Sequence, residues 1–134
     1  MAVVALTVLV FGADWMYSRA RLGNFTIEGR LDPPTVVADG KQSTVLTVRV
    51  TENGRPRAGD LLQCYLEIGN GLFIPEWGYT DQNGELRITY TPNPLTPYDL
   101  ETETMAHVID INVGRLIEVD KHFTMKIPVE APVQ

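Results

Sequence analysis

The seven residues Thr44–Val50, with the sequence TVLTVRV, decide the fold class of this chain. Leu46, Val48 and Val50 are apolar and alternate with a threonine and an arginine, which is the two-residue period of a half-buried β-strand. The segment is followed by Glu52–Arg55 (ENGR), whose Asn-Gly pair tolerates the positive φ angles of a tight turn. The stretch therefore predicts a strand with one face in a core and a turn after its C-terminal end.

The same alternation recurs after Gly23, in short segments separated by turns rich in Gly, Asn and Pro. These segments predict further strands at residues 25–31, 62–68, 86–90, 105–113 and 123–127. Residues 73–80 predict a weaker strand, and Pro75 places it at a sheet edge because proline has no N–H to donate. No helical period follows Gly23, so the pattern predicts an all-β sandwich or barrel.

Eight residues at the turns are expected to have structural roles, because glycine adopts positive φ freely and Asp or Asn side chains bond nearby backbone N–H groups. They are Asp39, Gly40, Asn53, Gly54, Gly59, Asp81, Asn83 and Gly84. Asp81, Asn83 and Glu85 also resemble the oxygen ligands of a calcium loop. The other ligand positions of an EF-hand loop are missing, so the turn interpretation is the better one.

The first 23 residues differ in character from the rest of the chain. The run Ala2–Ala13 has no charged side chain, and Asp14 is the only charged residue among the first seventeen. A helix over Ala2–Leu22 would be about 30 Å long, close to the hydrocarbon thickness of a membrane, but the strictly apolar stretch is shorter than the usual ~20 residues. Aromatic and basic side chains after this run resemble an interfacial belt followed by snorkelling cations. The predicted membrane or assembly segment contains Val3, Val4, Leu6, Val8, Leu9, Phe11, Asp14, Trp15, Tyr17, Arg19 and Arg21.

Three interpretations of this segment remain open: a membrane anchor, a cleaved signal peptide, and a helix or strand packed on its own domain or on a neighbouring subunit. A signal peptide should begin with a basic residue, which is absent here. Several β-branched residues, among them Val3 and Val10, weaken a helix prediction made on propensity alone. The expected organisation is an anchor or assembly segment at residues 1–23, a β-sandwich at 24–129 and a loose tail at 130–134.

Three motifs, in order, carry a resemblance to a known family. They are Ala38–Lys41 (ADGK) before the strand at Thr44, Glu52–Gly59 (ENGRPRAG) after it, and Thr80–Leu86 (TDQNGEL) before a later strand. This pattern resembles the bacterial immunoglobulin-like domains of the invasin and intimin type, over roughly Phe25–Val129. The resemblance implies an immunoglobulin-like β-sandwich of about seven strands. It also implies a role as a rigid spacer or adhesive unit in an exported protein.

Two segments, Pro92–Pro97 and Ile109–Arg115, depart from the pattern of that family. An acidic string at Asp99, Glu101 and Glu103 is expected to be a solvated strand edge or loop.

The composition and the chemistry-bearing residues argue against catalysis, cofactors and metals. The net charge of −6 and pI near 4.8 argue against a nucleic-acid partner. Cys64 is the only cysteine, which rules out an internal disulfide framework and a cysteine-based zinc site. Cys64 alternates with core positions and should be buried and inert. His107 is expected on a half-buried strand face with Met105 and Ile109, and no second histidine or cysteine lies at ligand spacing along the sequence.

The leading hypothesis is a non-catalytic structural or adhesive subunit, tethered by its apolar N-terminus to a membrane or a larger surface assembly. Its partners would be neighbouring subunits, identical copies included, and residues 1–17 would contact the membrane. The expected location is the cell envelope or cell surface, although Arg19 and Arg21 favour a cytoplasmic C-terminal side. The alternatives are a pilin-like or donor-strand filament subunit, and a virion decoration or secreted binding module. Residues 24–134 carry 9 basic and 16 acidic side chains, so the presented module would be strongly acidic.

Overall fold

The computed structural model describes residues 1–96, 103–114, 116 and 118–132. Asp99 and Glu101 of the predicted acidic string, and Arg115, lie outside the described residues. A single 3-10 turn, Leu22–Asn24, joins the helix to the first strand. In chain order the elements are α1 (Ala2–Arg21), β1 (Phe25–Asp32), β2 (Val36–Val37), β3 (Thr44–Glu52), β4 (Arg55–Pro56), β5 (Leu61–Ile68), β6 (Leu72–Ile74), β7 (Trp77–Tyr79), β8 (Glu85–Thr91), β9 (Thr104–Asp110), β10 (Lys121–Ile127) and β11 (Val129–Glu130).

Two antiparallel sheets form a sandwich. The first has the order β1-β3-β8-β6, with β4 beside β3, and the second has the order β10-β9-β5-β7. β2 and β11 form a separate parallel pair. This architecture confirms the prediction of an immunoglobulin-like β-sandwich preceded by an N-terminal apolar helix.

Alternate side chains of the long strands meet between the two sheets. In β3, Leu46, Val48 and Val50 are fully buried, as the opening stretch predicts, and Leu46 lies directly opposite Ile88 of β8. Each such side chain contributes about 1.5–3 kcal/mol through burial. The buried cluster comprises Phe25, Ile27, Val36, Leu46, Val48, Val50, Leu62, Cys64, Phe73, Ile88, Tyr90, Ala106, Val108, Val113, Val119 and Ile127.

The segment at residues 73–80 contains two strands, so the prediction of one interrupted strand is wrong. β6 pairs with β8 in the first sheet, and β7 pairs with β5 in the second. Pro75 lies between them, and proline both lacks an N–H and restricts the residue before it. The chain therefore leaves one sheet at Ile74 and joins the other at Trp77, and both short strands lie at sheet edges.

Two strand ends differ from the sequence prediction. β9 ends at Asp110 rather than at Val113, because the Asp110 side chain accepts the backbone N–H of Asn112 at 2.8 Å and turns the chain. At the C-terminus, Glu130 is paired with Val37 in β11, so the sandwich extends one residue into the predicted loose tail.

The apolar N-terminal segment is helical despite its β-branched residues. A helix satisfies its interior backbone groups within the segment, whereas a strand needs a neighbouring strand. The hydroxyl of Thr7 donates to the carbonyl of Val3 at 2.8 Å, so this side chain is also satisfied locally. Helix formation therefore requires nothing from the sandwich over the first three turns.

Candidate functional site: the N-terminal helix and its junction

α1 presents its apolar side chains to the exterior, and Ser18 is its one buried residue. Together with the turn that follows, Ala2–Asn24 is the one helix among the described residues that is long and apolar enough to cross a membrane, judged by length and composition. A helix packed into the core of its own sandwich would be buried, so the structure does not support that interpretation of the segment. The exposed large side chains of the predicted segment are Val3, Val4, Leu6, Val8, Leu9, Phe11, Trp15 and Tyr17.

The last two turns of α1 contact the sandwich. Asp14 is half-buried, and its Oδ2 accepts the backbone N–H of Leu116, in the β9–β10 connection, at 3.0 Å. Ser18 is fully buried one turn later. The Nζ of Lys121 donates to the carbonyl of Leu22 at 3.2 Å, and Leu22 packs against the core. The carboxylate that would be costly in a membrane thus has a partner within its own chain.

A chain of ion pairs connects α1 to the interior of the sandwich. Arg21 Nη2 lies 2.6 Å from Glu52 Oε2, and Arg57 Nη1 lies 3.5 Å from Glu52 Oε1. Arg57 donates through Nε and Nη2 to both oxygens of Asp60, at 3.1 and 3.0 Å, which is the strong bidentate geometry. Burial is the largest single effect on the pKa of Arg57 and lowers it, but the hydrogen bond to Asp60 together with the charges of Asp60, Glu52 and Asp110 outweighs burial, so the pKa of the guanidinium is raised. The helix end is therefore fixed through side chains that are far apart in sequence.

The aromatic ring of Phe25 lies between the two guanidinium groups of this chain of ion pairs. Its centroid is 5.4 Å from Arg21 Cζ and 5.1 Å from Arg57 Cζ. Cation–π contacts of this kind contribute about 0.5–2 kcal/mol each, more where water is excluded, and Phe25 is almost completely buried. The end of α1, the start of β1 and Arg57 consequently pack as one unit.

A second buried carboxyl group, Asp110, lies next to Asp60. Its Oδ1 accepts the backbone N–H and the side-chain amide of Asn112, each at 2.8 Å. Its Oδ2 is buried and receives no N–H or O–H bond from the described residues, whereas the Asp60 carboxyl is close enough to share a proton with it. Burial, followed by the hydrogen bond with Asp60, raises the pKa of Asp110 to about 7. The pair therefore holds a proton that ordinary carboxyl groups would lose.

The predicted interfacial belt forms two pairs on α1 itself. The guanidinium of Arg19 lies 5.1 Å from the centroid of the Trp15 ring, and that of Arg21 lies 5.4 Å from the Tyr17 ring. The four-residue spacing places each pair on one side of the helix. Both pairs lie on the turns of α1 that reach the sandwich, next to Asp14.

The predicted turn residues lie at turns of the sandwich. Asp39 Oδ1 accepts the N–H groups of Lys41 and Gln42, each at 2.8 Å, and these bonds lower its pKa. Asp81 Oδ1 likewise accepts the N–H groups of Asn83 and Glu85, so this oxygen serves the turn rather than a cation. Within the described part of the chain, the residues with positive φ are Gly40, Asn53, Gly54, Gly59, Gly69, Gly71 and Gly84.

Cys64 and His107 do not form a nucleophile pair, because they lie on opposite faces of the second sheet. Cys64 is buried in the core, and burial raises the pKa of its thiol to about 12. His107 lies on the outer face, stacked on Tyr65. Among the described residues, no group of three or more His, Cys, Asp or Glu side chains could hold a metal ion.

Neither the ion-pair chain nor the Asp60–Asp110 pair is predicted by the sequence patterns. Arg21 and Glu52 are 31 residues apart, and no local pattern links them. Only the register of the strands, once assigned, brings such residues together.

Several solved structures are similar to this chain, among them two fragments of intimin. The D0-D1 domain of intimin is 19% identical, with a TM-score of 0.51, and the match covers 80% of this chain and 50% of that one. A C-terminal 282-residue fragment of intimin, in complex with the intimin-binding domain of the translocated intimin receptor, is 19% identical with a TM-score of 0.54, covering 75% of this chain and 32% of that one. The sandwich has the intimin-type immunoglobulin-like fold. The resemblance to intimin domains is thus confirmed at the level of the fold.

The YadV chaperone is also similar, with 16% identity, a TM-score of 0.53, and coverage of 81% of this chain and 51% of that one. Each match thus covers only about a third to a half of the length of the intimin or chaperone chain. No protein-family model matches the sequence, and no curated protein sequence matches it. At such low identity the likeness shows the fold alone.

Proposed function

We propose that this chain is a non-catalytic surface module, in which an acidic immunoglobulin-like sandwich is held at a membrane by helix α1. The observation that carries the proposal is the exposure of the helix. Its apolar side chains from Val3 to Phe11 cover nothing in the sandwich, although each gains free energy on leaving water. A lipid environment would cover them.

The contacts between α1 and the sandwich support a tether that holds the sandwich at a fixed height above the membrane. Trp15 and Tyr17 are the amphipathic side chains typical of the interface, and they lie where α1 reaches the sandwich. Asp14 is paired with the backbone of Leu116, so its carboxylate does not need to enter the hydrocarbon unpartnered. The interface is therefore expected close to residues 14–17, so residues 2–13, about 18 Å of helix, would lie within a hydrocarbon layer about 30 Å thick.

Arg21 bears on the orientation of the tether. Its guanidinium forms an ion pair with Glu52 at 2.6 Å. Arg21 therefore stabilises the junction and adds little to the positive charge that would flank a membrane span. Arg19 alone is then a weak signal for a cytoplasmic C-terminal side. The intimin-type fold is compatible with export, and we propose that the sandwich lies on the outer side.

The absence of catalysis in this proposal rests on the chemistry of the described residues. The one cysteine is buried with a raised pKa, and the one buried carboxyl pair is bonded within the junction. Neither of these groups faces a substrate. A spacer or adhesive role needs only the rigid sandwich and its exposed surface.

Membrane extraction with substituted helices tests the proposal. In the variant Leu6→Lys/Leu9→Lys, each lysine costs roughly 3 kcal/mol at the centre of an inserted helix. The wild-type chain should remain with membranes after alkaline carbonate washing, and this variant should be released. The matched control, Leu72→Lys/Ile74→Lys, places the same charges on exposed apolar positions of β6 and should remain bound. Equal extraction of all three proteins would contradict the proposal.

An assembly of copies through α1 is the second candidate, because a neighbouring subunit could cover the same apolar side chains. The helical conformation of residues 2–21 favours a helix-to-helix contact over strand donation, since a donated strand must be extended. Soluble wild-type oligomers that dissociate on the Leu6→Lys/Leu9→Lys substitution, with no membrane-bound fraction, would favour assembly.

A further inference from the structure

The outer face of the second sheet brings the two histidines of the chain together. His107 lies in β9 and His122 in β10, and the register pairs them with Thr124 and Ile109 respectively. The two side chains are thus diagonal neighbours on one face of an antiparallel pair, a distance that long side chains can bridge. Fifteen residues separate them in sequence, so no ligand spacing is visible without the register.

Nitrogen atoms of the two imidazoles face each other. The distance from His107 Nε2 to His122 Nδ1 is 2.8 Å, and the ring planes are nearly perpendicular at 85°. The other nitrogen of His107, Nδ1, lies 3.3 Å from Glu67 Oε2, and the ring stacks on Tyr65 at a centroid distance of 4.8 Å. His107 is therefore fixed in orientation, with Nδ1–H towards a carboxylate and the lone pair of Nε2 towards His122.

We propose that His107 Nε2 and His122 Nδ1 form a surface binding site for a late first-row divalent cation, of the class that includes Zn²⁺ and Cu²⁺. Imidazole nitrogen is a preferred ligand of these cations. A carboxylate on the second nitrogen of a ligating histidine is the usual outer-shell partner in such sites, and Glu67 occupies that position.

Metal binding requires the side chain of His122 to move. Two nitrogens at about 2.0–2.1 Å from a tetrahedral zinc ion lie about 3.3 Å apart. The distance between the two nitrogens must therefore grow by about 0.5 Å. With His107 held in place, His122 Nδ1 must also move sideways by about 2 Å so that its lone pair points at the ion, and the exposed side chain of His122 can do this by rotating. In the metal-free chain His122 Nδ1–H donates to His107 Nε2, so binding must break this hydrogen bond and leave the proton of His122 on Nε2, with Nδ1 free for the metal.

The protein supplies two ligands, and water would fill the remaining coordination positions of the cation. No third His, Cys, Asp or Glu among the described residues completes it. Its affinity should therefore be lower than that of a closed structural site, and Cu²⁺ should bind more tightly than Zn²⁺. Mg²⁺, which prefers oxygen ligands, should not bind at the imidazoles.

Zinc titration of the full chain in mild detergent, followed by ¹⁵N NMR of the imidazole nitrogens and by calorimetry, tests the proposal. Zn²⁺ should shift His107 Nε2 and His122 Nδ1 selectively, with one ion per chain. The variants His107→Ala and His122→Ala should lose this binding. Glu67→Ala should weaken it by about tenfold. Glu103→Ala, which removes a carboxylate paired with Lys126 outside the cluster, should bind as the wild type does.

The NMR measurement on the wild-type chain does not depend on whether a variant folds. Unshifted imidazole nitrogens at saturating Zn²⁺ would overturn the proposal. Equal Zn²⁺ affinity of the wild-type chain and the two histidine variants would overturn it as well.

Discussion

Replacing Asp110 by asparagine is expected to stabilise the sandwich at alkaline pH, and the gain should shrink steadily as the pH falls towards about 4. The pKa of Asp110 is raised to about 7, first by burial and then by its hydrogen bond with Asp60. Below this pH the two carboxyl groups share a proton, whereas above it two buried carboxylates face each other beside Arg57. In Asp110→Asn, the amide oxygen can still accept from Asn112, and the amide N–H can donate to Asp60 at every pH.

The magnitude follows from the linkage between proton binding and folding. The ordinary pKa of an aspartate is 3.8, so the folded state holds this proton about three pH units more tightly. At about 1.4 kcal/mol per pH unit, the upper limit is about 4 kcal/mol. Because the folded-state pKa is raised, this contribution is fully present below about pH 4 and is lost as the pH rises through about 7.

Urea unfolding at about pH 5.5 and about pH 8, followed by circular dichroism, measures the effect. At pH 8 the variant should exceed the wild-type free energy of unfolding by about 2–4 kcal/mol, and about half of this gain should remain at pH 5.5, which lies midway between the unfolded and folded pKa values. Asp32→Asn removes an exposed carboxylate of β1 and controls for the change in net charge. A variant that is destabilised equally at both pH values would refute the reasoning, since Asp110 would then be an ionised partner that Arg57 needs.

Three further predictions concern the helix, the turns and the core. Removing residues 1–13 should change the free energy of unfolding of the sandwich by less than about 0.5 kcal/mol. Removing residues 1–23 should leave a folded β-domain with a lower Tm, because the ion pair of α1 with the sandwich is lost; an unfolded product would contradict this. Gly84→Ala should lower the melting temperature more than Gly54→Ala does. Both glycines have φ near +75°, but only at Gly84 would the added Cβ clash with a backbone atom, the carbonyl oxygen of Val50, at 2.5 Å. Equal melting temperatures of the two variants would contradict this prediction. Cys64 should react with a thiol reagent only after unfolding, and rapid labelling of the native chain would disprove its burial.

The strands and turns could be predicted from the sequence because their signals are local. Leu46, Val48 and Val50 repeat every second residue, and the core indeed takes all three. Asn53-Gly54 also lies in the turn after β3, with positive φ at both residues. In each case one or two neighbouring residues determine the backbone conformation.

The apolar run indicated the helix, whereas the junction depends on information that short patterns do not contain. β-branched residues in α1 favour a strand only where a neighbouring strand is present, and residues 2–13 have none. Arg21–Glu52 and Asp60–Asp110 join residues 31 and 50 positions apart, so only the packed strands bring their charges together. The crossing at Pro75 was missed because one proline is compatible both with an interrupted strand and with a change of sheet.

Quenching of tryptophan fluorescence by brominated lipids tests the membrane tether most directly. The chain has two tryptophans, Trp15 on α1 and Trp77 on β7, and both are about half exposed. In lipid vesicles, Trp77→Phe leaves only Trp15, whose emission should be quenched strongly and shifted to the blue. Trp15→Phe leaves only Trp77, whose emission should be unaffected. A Trp15 signal that brominated lipids do not quench, or equal quenching of the two variants, would contradict the account.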